Sequence, residues 1–346
     1  MKIGKVDLDF FEKNIKGRVG KENPKVLVPP QSGVDASVIE VDEERVLVVA
    51  EDPIFPAPGL PLSMFGWFSV HIGASDVAVL GVEPQYLTYS LLVPQDTEEK
   101  DLKEIVDSIH GAAKQLGISI VGGHTGYYPT VITPLVGGIT VFGFAGKKDY
   151  VTPRGAKPGD KIVLTKGPAV EAAGLLSVLY EKRLKAKYDV RLVEKAKRLC
   201  KKITVVEDAR EAMKTGQVTS MHDATEGGVI GGLFEIANAS NVGVKAYEDR
   251  FIYPKETSMV CEELGIDPVE AIAEGSLIIT CEAGGTQKVV NALAEAGIES
   301  TEIGEIVEDT SKRTLRRRDG SEQELAIPDQ DPFWPAFFAG LKEKEA

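Results

Sequence analysis

Lys147-Lys148-Asp149-Tyr150-Val151-Thr152-Pro153-Arg154-Gly155-Ala156-Lys157-Pro158-Gly159-Asp160 divides the chain. Pro153, Gly155, Pro158 and Gly159 break both helix and strand, so the stretch reads as a connection between two folded units. Directly after it, Lys161 to Thr165 is an apolar strand that opens a second α/β unit. Further on, helices are expected at about 168–182, 189–201, 227–239 and 286–296, and strands at about 243–247, 276–282 and 299–307. Thr314 to Ile327 reads as a closing hairpin around Asp319-Gly320.

Before the boundary, Asp7 is a good N-cap for a helix carrying Leu8, Phe11, Ile15 and Val19, with Gly20 as its stop. Ala36–Val41 and Arg45–Glu51 form a hairpin across Asp42-Glu43-Glu44. Ser63–Leu80 is a largely buried helix stopped by Gly81, Gln85–Val93 a strand, and Thr97–Leu116 an amphipathic helix ended by Gly117. Ile118–Val121 reads as a short buried strand running into a Gly122-Gly123-His124-Thr125-Gly126 loop, and Val131–Phe144 as a strand broken at Gly137-Gly138. The fold class is therefore α/β (α+β), with domains at 1–150 and 151–327 and an aromatic tail at 328–346. Asp331-Pro332-Phe333-Trp334-Pro335-Ala336-Phe337-Phe338 is expected to dock on its own domain, with partner binding as the other reading.

A chain of 346 residues has ample length for two cores. Its net charge of −13 excludes a nucleic-acid partner, since a phosphate backbone requires a basic face. Arg316-Arg317-Arg318 beside Asp319 reads as a solvated hairpin tip. No apolar run is long enough for a bilayer and Met1-Lys2-Ile3-Gly4-Lys5 begins no signal peptide, so no membrane and a cytoplasmic location are expected. Cys200, Cys261 and Cys281 stand far apart, as reduced buried thiols do. A Walker-type phosphate loop, a dinucleotide fingerprint, a nucleophile elbow and a zincin motif are all absent from the sequence.

What remains is acidic and glycine-rich. Asp35 stands at the mouth of a strand in Gly33-Val34-Asp35-Ala36-Ser37, and Asp52 ends the next strand. Asp76 interrupts an apolar helix, where a carboxylate is costly unless paired or metal-bound. Asp223 precedes the glycine-rich start of another helix. Two carboxylates about 4 Å apart repel by roughly 4 kcal/mol at an effective dielectric of about 20, a penalty that a divalent cation removes. Equally, Asp35 or Asp52 reads as a turn cap and Asp76 as a structural partner. The Gly122–Gly126 loop offers backbone N–H groups to a phosphate, or is simply a tight turn.

Taken in order, these segments resemble the PurM-like (AIR synthetase-related) superfamily. Gly33-Val34-Asp35-Ala36-Ser37-Val38-Ile39 is similar to its G-D-D-A-A-V-I segment with the first acid lost. Ala50-Glu51-Asp52, Ser75-Asp76-Val77-Ala78, Val121-Gly122-Gly123-His124-Thr125, Gly155-Ala156-Lys157-Pro158-Gly159-Asp160 and His222-Asp223-Ala224-Thr225-Glu226-Gly227-Gly228 match further segments. Glu263-Leu264-Gly265-Ile266-Asp267-Pro268 and Ala273-Glu274-Gly275 most resemble the hydrogenase maturation branch, HypE. The resemblance implies a two-domain PurM-like fold whose N-terminal mixed sheets close into a β-barrel in a homodimer, with ATP near the interface. It implies that Asp35, Asp52, Asp76 and Asp223 bind Mg2+ and the ATP phosphates. It also implies that Gly122, Gly123 and Thr125 line the nucleotide and that Lys5 reaches a phosphate.

Two departures shape the functional expectation. The chain ends Lys342-Glu343-Lys344-Glu345-Ala346 without the cysteine that HypE modifies, so self-directed dehydration is not expected. His124 replaces an acid of the relatives and reads either as an acid–base group or as a brace for its loop. The leading expectation is an Mg-ATP-dependent enzyme that phosphorylates an amide or acyl oxygen of a small-molecule or protein-borne acceptor. A small-molecule kinase like thiamine-monophosphate kinase and a non-catalytic ATP-binding maturation scaffold stand beside it.

Overall fold

The computed structural model describes residues 4–6 and 8–345. Asp7, the expected cap, lies outside the described residues. Helix α1 (Leu8–Asn14) buries none of its side chains and stops short of Val19, because Gly17 turns left-handed at φ 84°. A sheet in the order β1-β2-β3-β6-β4-β5 follows, built from β1 (Val26–Val28), β2 (Ser37–Glu40), β3 (Arg45–Ile54), β4 (Tyr86–Val93), β5 (Ser119–Tyr127) and β6 (Leu135–Gly146). The expected hairpin is present, with Ser37 opposite Val49 and Glu40 opposite Val46. Helices α2 (Leu62–Ala78) and α3 (Glu99–Leu116) pack together, and α2 lies over the middle strands.

Two expectations are corrected here. Strand β6 runs unbroken through Gly137-Gly138: pairing passes from Ser90 opposite Gly138 to Leu91 opposite Val136, so Gly137 is absorbed as a bulge. Strand β5 also continues through its glycines, pairing parallel to β4 from Ser119 to Tyr127, and the Gly122–Gly126 loop does not exist. Nor is β5 buried. As the sheet's edge it leaves Ile120 and Val121 38% and 54% exposed. A short apolar run has the same period on a covered strand and on an open one.

The second sheet runs β13-β12-β9-β11-β7-β10-β8. Its strands are β7 (Lys161–Thr165), β8 (Val218–Asp223), β9 (Gly243–Tyr247), β10 (Leu277–Cys281), β11 (Ser300–Val307), β12 (Arg313–Arg316) and β13 (Glu322–Glu324). On one face lies α8 (Gly228–Ser240), over Ile162, Leu164, Ile278 and Ile306. The other face, with Val163, Met221, Ile279 and Cys281, joins one apolar cluster with the first sheet's core through α7 (Val206–Lys214). That continuous cluster fixes the two halves against each other. Helix α7 was not legible: its sequence is largely charged, and the residues it buries are Val206, Ala209, Ala212 and the acid Asp208.

A third cluster unites α4 (Val170–Leu179), α5 (Glu181–Lys187), α6 (Val190–Arg198), α9 (Lys255–Leu264) and α11 (Phe333–Glu345); α10 (Thr286–Glu295) lies on the first cluster instead. The aromatic tail is α11, docked on its own chain as expected. Phe333 is buried and the Tyr180 hydroxyl donates to the Ala336 carbonyl at 2.7 Å. Arg316, Arg317 and Arg318 pair with Asp249, Asp267 and Glu248, which fits a closing hairpin. Among the described residues no helix is long and apolar enough to cross a membrane. Because Phe333 fills a closed pocket, Phe333→Ala is expected to lower unfolding free energy by about 3 kcal/mol in urea titration. An unchanged midpoint would mean that α11 does not stabilise the fold.

Candidate functional site

The four aspartates singled out in the sequence meet. Asp52 is delivered by β3 and Asp76 by the last turn of α2; their carboxyl groups share a hydrogen bond. Asp35 comes from the turn before β2, where Gly33 at φ 71° lets the backbone approach α8 closely: a Cβ there would meet Cβ of Glu235 at 3.1 Å. Asp223 ends β8, and Gly227 and Gly228, both left-handed, turn the chain into α8. Between them stands His222. Its Nδ1 lies 3.6 Å from Asp35 and 3.4 Å from Asp223, and its Nε2 lies 3.3 Å from Glu235.

Burial dominates the electrostatics. Asp76 is pushed well above the usual carboxylate range by burial and then by the charges of Asp52, Asp223, Asp35 and Glu274. Glu274, from the turn before β10, is raised for the same reasons, with Asp223 its strongest neighbour. Burial lifts Asp35 to about 6, against the pull of His222 and Lys5. Asp223 is the exception: burial raises it, but contact with His222 outweighs burial and holds it low. Burial opposes the charge of His222, yet Asp35, Asp223 and Glu235 lift its pKa to about 10, so it is an imidazolium. Although Lys5 as a residue is exposed, Glu235, Asp35, Asp223 and Asp76 outweigh desolvation of its ammonium and raise its pKa.

Despite these cations the cluster is under-neutralised. Among the described residues, Asp35 Oδ2, both carboxylate oxygens of Asp223 and Glu274 Oε1 are buried without a well-formed hydrogen bond, and His222 Nδ1 stands off at 3.6 Å from that Asp35 oxygen and 3.4 Å from Asp223 Oδ1. Such oxygens are costly and fit a hard divalent cation. Asp35, His222 and Asp223 bring ligand atoms within 4.8 Å of one another. His222 serves better as a brace than as a ligand, because its Nδ1 meets the Asp223 carbonyl at 2.8 Å and its Nε2 faces Glu235. Aspartate oxygens alone then form the donor set that magnesium prefers.

Of the remaining expected site residues, Gly123 and Thr125 lie on the Asp52 face. Asp52 pairs with Ile139, Ile139 with Tyr89 and Tyr89 with Gly123, which places Gly123 three strands, about 14 Å, from Asp52. There the Tyr89 hydroxyl is hydrogen-bonded to Thr125. Gly122 and His124 alternate to the opposite face, and His124 Nε2 meets the Tyr128 hydroxyl at 2.6 Å. His124 is thus a brace for Tyr128 and stands outside the acid cluster. Glu235, Glu274 and His222 were missed as site residues. Glu235 carried a usable signal, being a lone acid in the apolar helix α8, as Asp76 is in α2. Helix α8 itself offers no open N-terminus to a phosphate, since the Gly227 N–H donates to buried Asp331 at 2.9 Å.

Stability should therefore fall as pH rises. Glu171, lifted to about 8 by burial, and Asp35, at about 6, retain protons in the fold that an unfolded chain releases at ordinary carboxylate pKa. His222 acts with the same sign, since its favourable charge is lost between the unfolded value near 6.5 and about 10. Without added metal, the melting temperature is expected to drop between pH 6 and pH 9. Glu171→Gln should flatten the slope up to about pH 8 and exceed the parent in stability by at least about 1 kcal/mol at pH 8.5. Parallel profiles for the two proteins would contradict a buried, proton-holding Glu171.

Residues 33–149 match the family model described as AIR synthase related protein, N-terminal domain, and residues 157–315 match its C-terminal domain. Carbamoyl dehydratase HypE of Cupriavidus necator is 28% identical over 288 residues, covering 81% of this chain and 78% of that protein. A crystal structure of HypE in complex with ATP superposes with a TM-score of 0.71 at 20% identity, covering 94% of this chain and 93% of the other. HypE in a HypE–HypF complex gives 0.69 at 21% identity, over 84% and 93%. Both structures show the same two-domain PurM-like fold. The chain belongs to the AIR synthase related proteins, and carbamoyl dehydratase HypE is among the relatives it is similar to.

Proposed function

We propose that this chain is an Mg-ATP-dependent enzyme that phosphorylates an amide or acyl oxygen of an acceptor. One observation supports the reading: aspartates from both halves of the chain converge with buried oxygens that, among the described residues, lack a well-formed hydrogen bond. Magnesium held there would neutralise the carboxylates and the charge on the transferring phosphoryl group. Asp35, Asp52, Asp76 and Asp223 are its ligands in this reading. His222 and Glu235 hold Asp35 and Asp223 in orientation. Lys5, with its ammonium already among the carboxylates, is placed to meet a phosphate oxygen. Gly123 and Thr125 line the nucleotide along β5. Glu274, buried beside Asp223 with its pKa raised first by burial and then by Asp223, is placed to hold a proton of the acceptor.

The kinship with a carbamoyl dehydratase and the fold shared with an ATP-bound HypE support nucleotide use. The HypE–HypF complex supports an acceptor presented by another protein. None of this chain's own cysteines suits that role. Burial pushes the thiols of Cys200 and Cys261 up to about 12 and that of Cys281 to about 11. We also propose units at 1–150 and 151–327, with 328–346 packed on the second. Two copies would meet through the first sheet, whose edge β5 leaves Ile120, Val121 and Tyr127 open.

Calorimetry with Mg2+ and a non-hydrolysable ATP analogue tests the reading. The parent chain should bind, and Asp76→Asn should lose at least about 100-fold in affinity. Because burial and neighbouring carboxylates raise the pKa of Asp76 and Glu274, Mg2+ binding should release protons, seen as a buffer-dependent enthalpy at pH 7. A parent chain that binds no Mg-ATP ends the proposal, and proton uptake would reverse the assigned protonation states.

A further inference from the structure

Lys166 joins β7 to α4 in the left-handed backbone region at φ 58°, and Gly167 and Ala169 follow at 81° and 55°. Any Cβ is strained there, so glycine would be the relaxed choice. The ammonium accounts for the lysine. Its side chain is 10% exposed, and Nζ lies 2.9 Å from Asp208, whose own side chain is 2% exposed. Nζ also donates to the carbonyls of Thr204 at 2.6 Å and Gly275 at 2.7 Å, which uses all three of its protons.

Those carbonyls belong to the two segments behind the acid cluster. Gly275 directly follows Glu274 and has no room for a side chain: a Cβ there would stand 2.2 Å from the Lys202 carbonyl. Thr204 turns its hydroxyl to His71 Nδ1 at 3.1 Å, and the N–H of Val205 donates to Ser75 Oγ at 3.1 Å. His71 and Ser75 both lie on α2, and Ser75 immediately precedes Asp76. A single buried ammonium therefore ties the peptide behind Glu274 to the segment that grips α2 beside Asp76.

We propose that Lys166 is a positioning residue that sets the separation between Asp76, from the first half of the chain, and the Glu274–Asp223 pair, from the second. It touches no reacting atom. Its effect on turnover rests on the function proposed above, whereas the separation itself can be measured without it.

The test is the double substitution Lys166→Gly with Asp208→Asn, which relieves the backbone and leaves no buried carboxylate unpaired. Mn2+ serves as the probe, read by electron paramagnetic resonance, alongside thermal melting and crystal structures of parent and variant. The expected result is a melting temperature close to that of the parent, a wider Asp76–Glu274 separation, and Mn2+ affinity lowered by at least about tenfold. Lys166→Arg keeps the charge opposite Asp208 but cannot converge on two carbonyls and a carboxylate, so it should shift Mn2+ affinity in the same direction and covers the case of a misfolded double variant. A folded variant with parental separation and parental affinity overturns the proposal. Should the parent itself bind no Mn2+, the function proposed above falls, and the crystallographic separation alone decides the role of Lys166.

Discussion

Packing like charges into a largely buried cluster is the constraint on which this structure turns. Asp35, Asp52, Asp76, Asp223 and Glu274 are close enough to perturb one another, and His222 and Lys5 oppose them from within. At an effective dielectric of about 20, each close pair costs roughly 4 kcal/mol when both members are ionised. Burial and this repulsion raise the pKa of Asp76 and Glu274, and the carboxylates raise that of His222, so the cluster favours bound protons. A site kept in that state has a high affinity for positive charge built into it, because any cation that replaces those protons relieves repulsion already present.

Holding the arrangement together is the work of apolar packing. The acids come from opposite sides of the connection at 147–160, so neither half forms the cluster alone. The continuous cluster through α2, α7 and the inner face of the second sheet supplies the stiffness. Buried side chains such as Val77, Val163, Val205 and Ile279 are close to fully inaccessible, and close packing resists the small separation that would let the carboxylates relax apart. Polar contacts then set the fine distances, from Ser75 to Val205 and from His71 to Thr204.

Much of this was written locally in the sequence. Strands β7 and β9 and the hairpin of β2 and β3 lie where apolar alternation and turn residues put them, because each is decided by neighbours a few residues away. Asp76 was legible for a similar reason: one acid in an apolar helix is an anomaly that only a partner explains. What failed depended on tertiary cover. Helix α7 turns so narrow an apolar face inward that its charges masked it, and β5 looked buried because nothing in Ile118-Ser119-Ile120-Val121 tells whether a second layer lies above it. Glu274 stood in a quoted motif, but its role, like that of Lys166, comes from residues more than thirty positions away.

Glu226 shows how such distant contacts converge on a loop that local reading had already marked. Its carboxylate accepts the Lys5 N–H at 2.9 Å and the Trp334 indole N–H at 3.1 Å. One residue later, the Gly227 N–H is taken by Asp331. Segments near both ends of the described chain therefore grip the turn between Asp223 and α8. The backbone there is left-handed at Gly227 and Gly228 and would be free to flex without those contacts. Glycine gives this turn its shape, and charge-assisted hydrogen bonds remove the freedom that glycine brings. Asp223 is thereby held as firmly as Asp76, although one sits at a strand end and the other inside a packed helix.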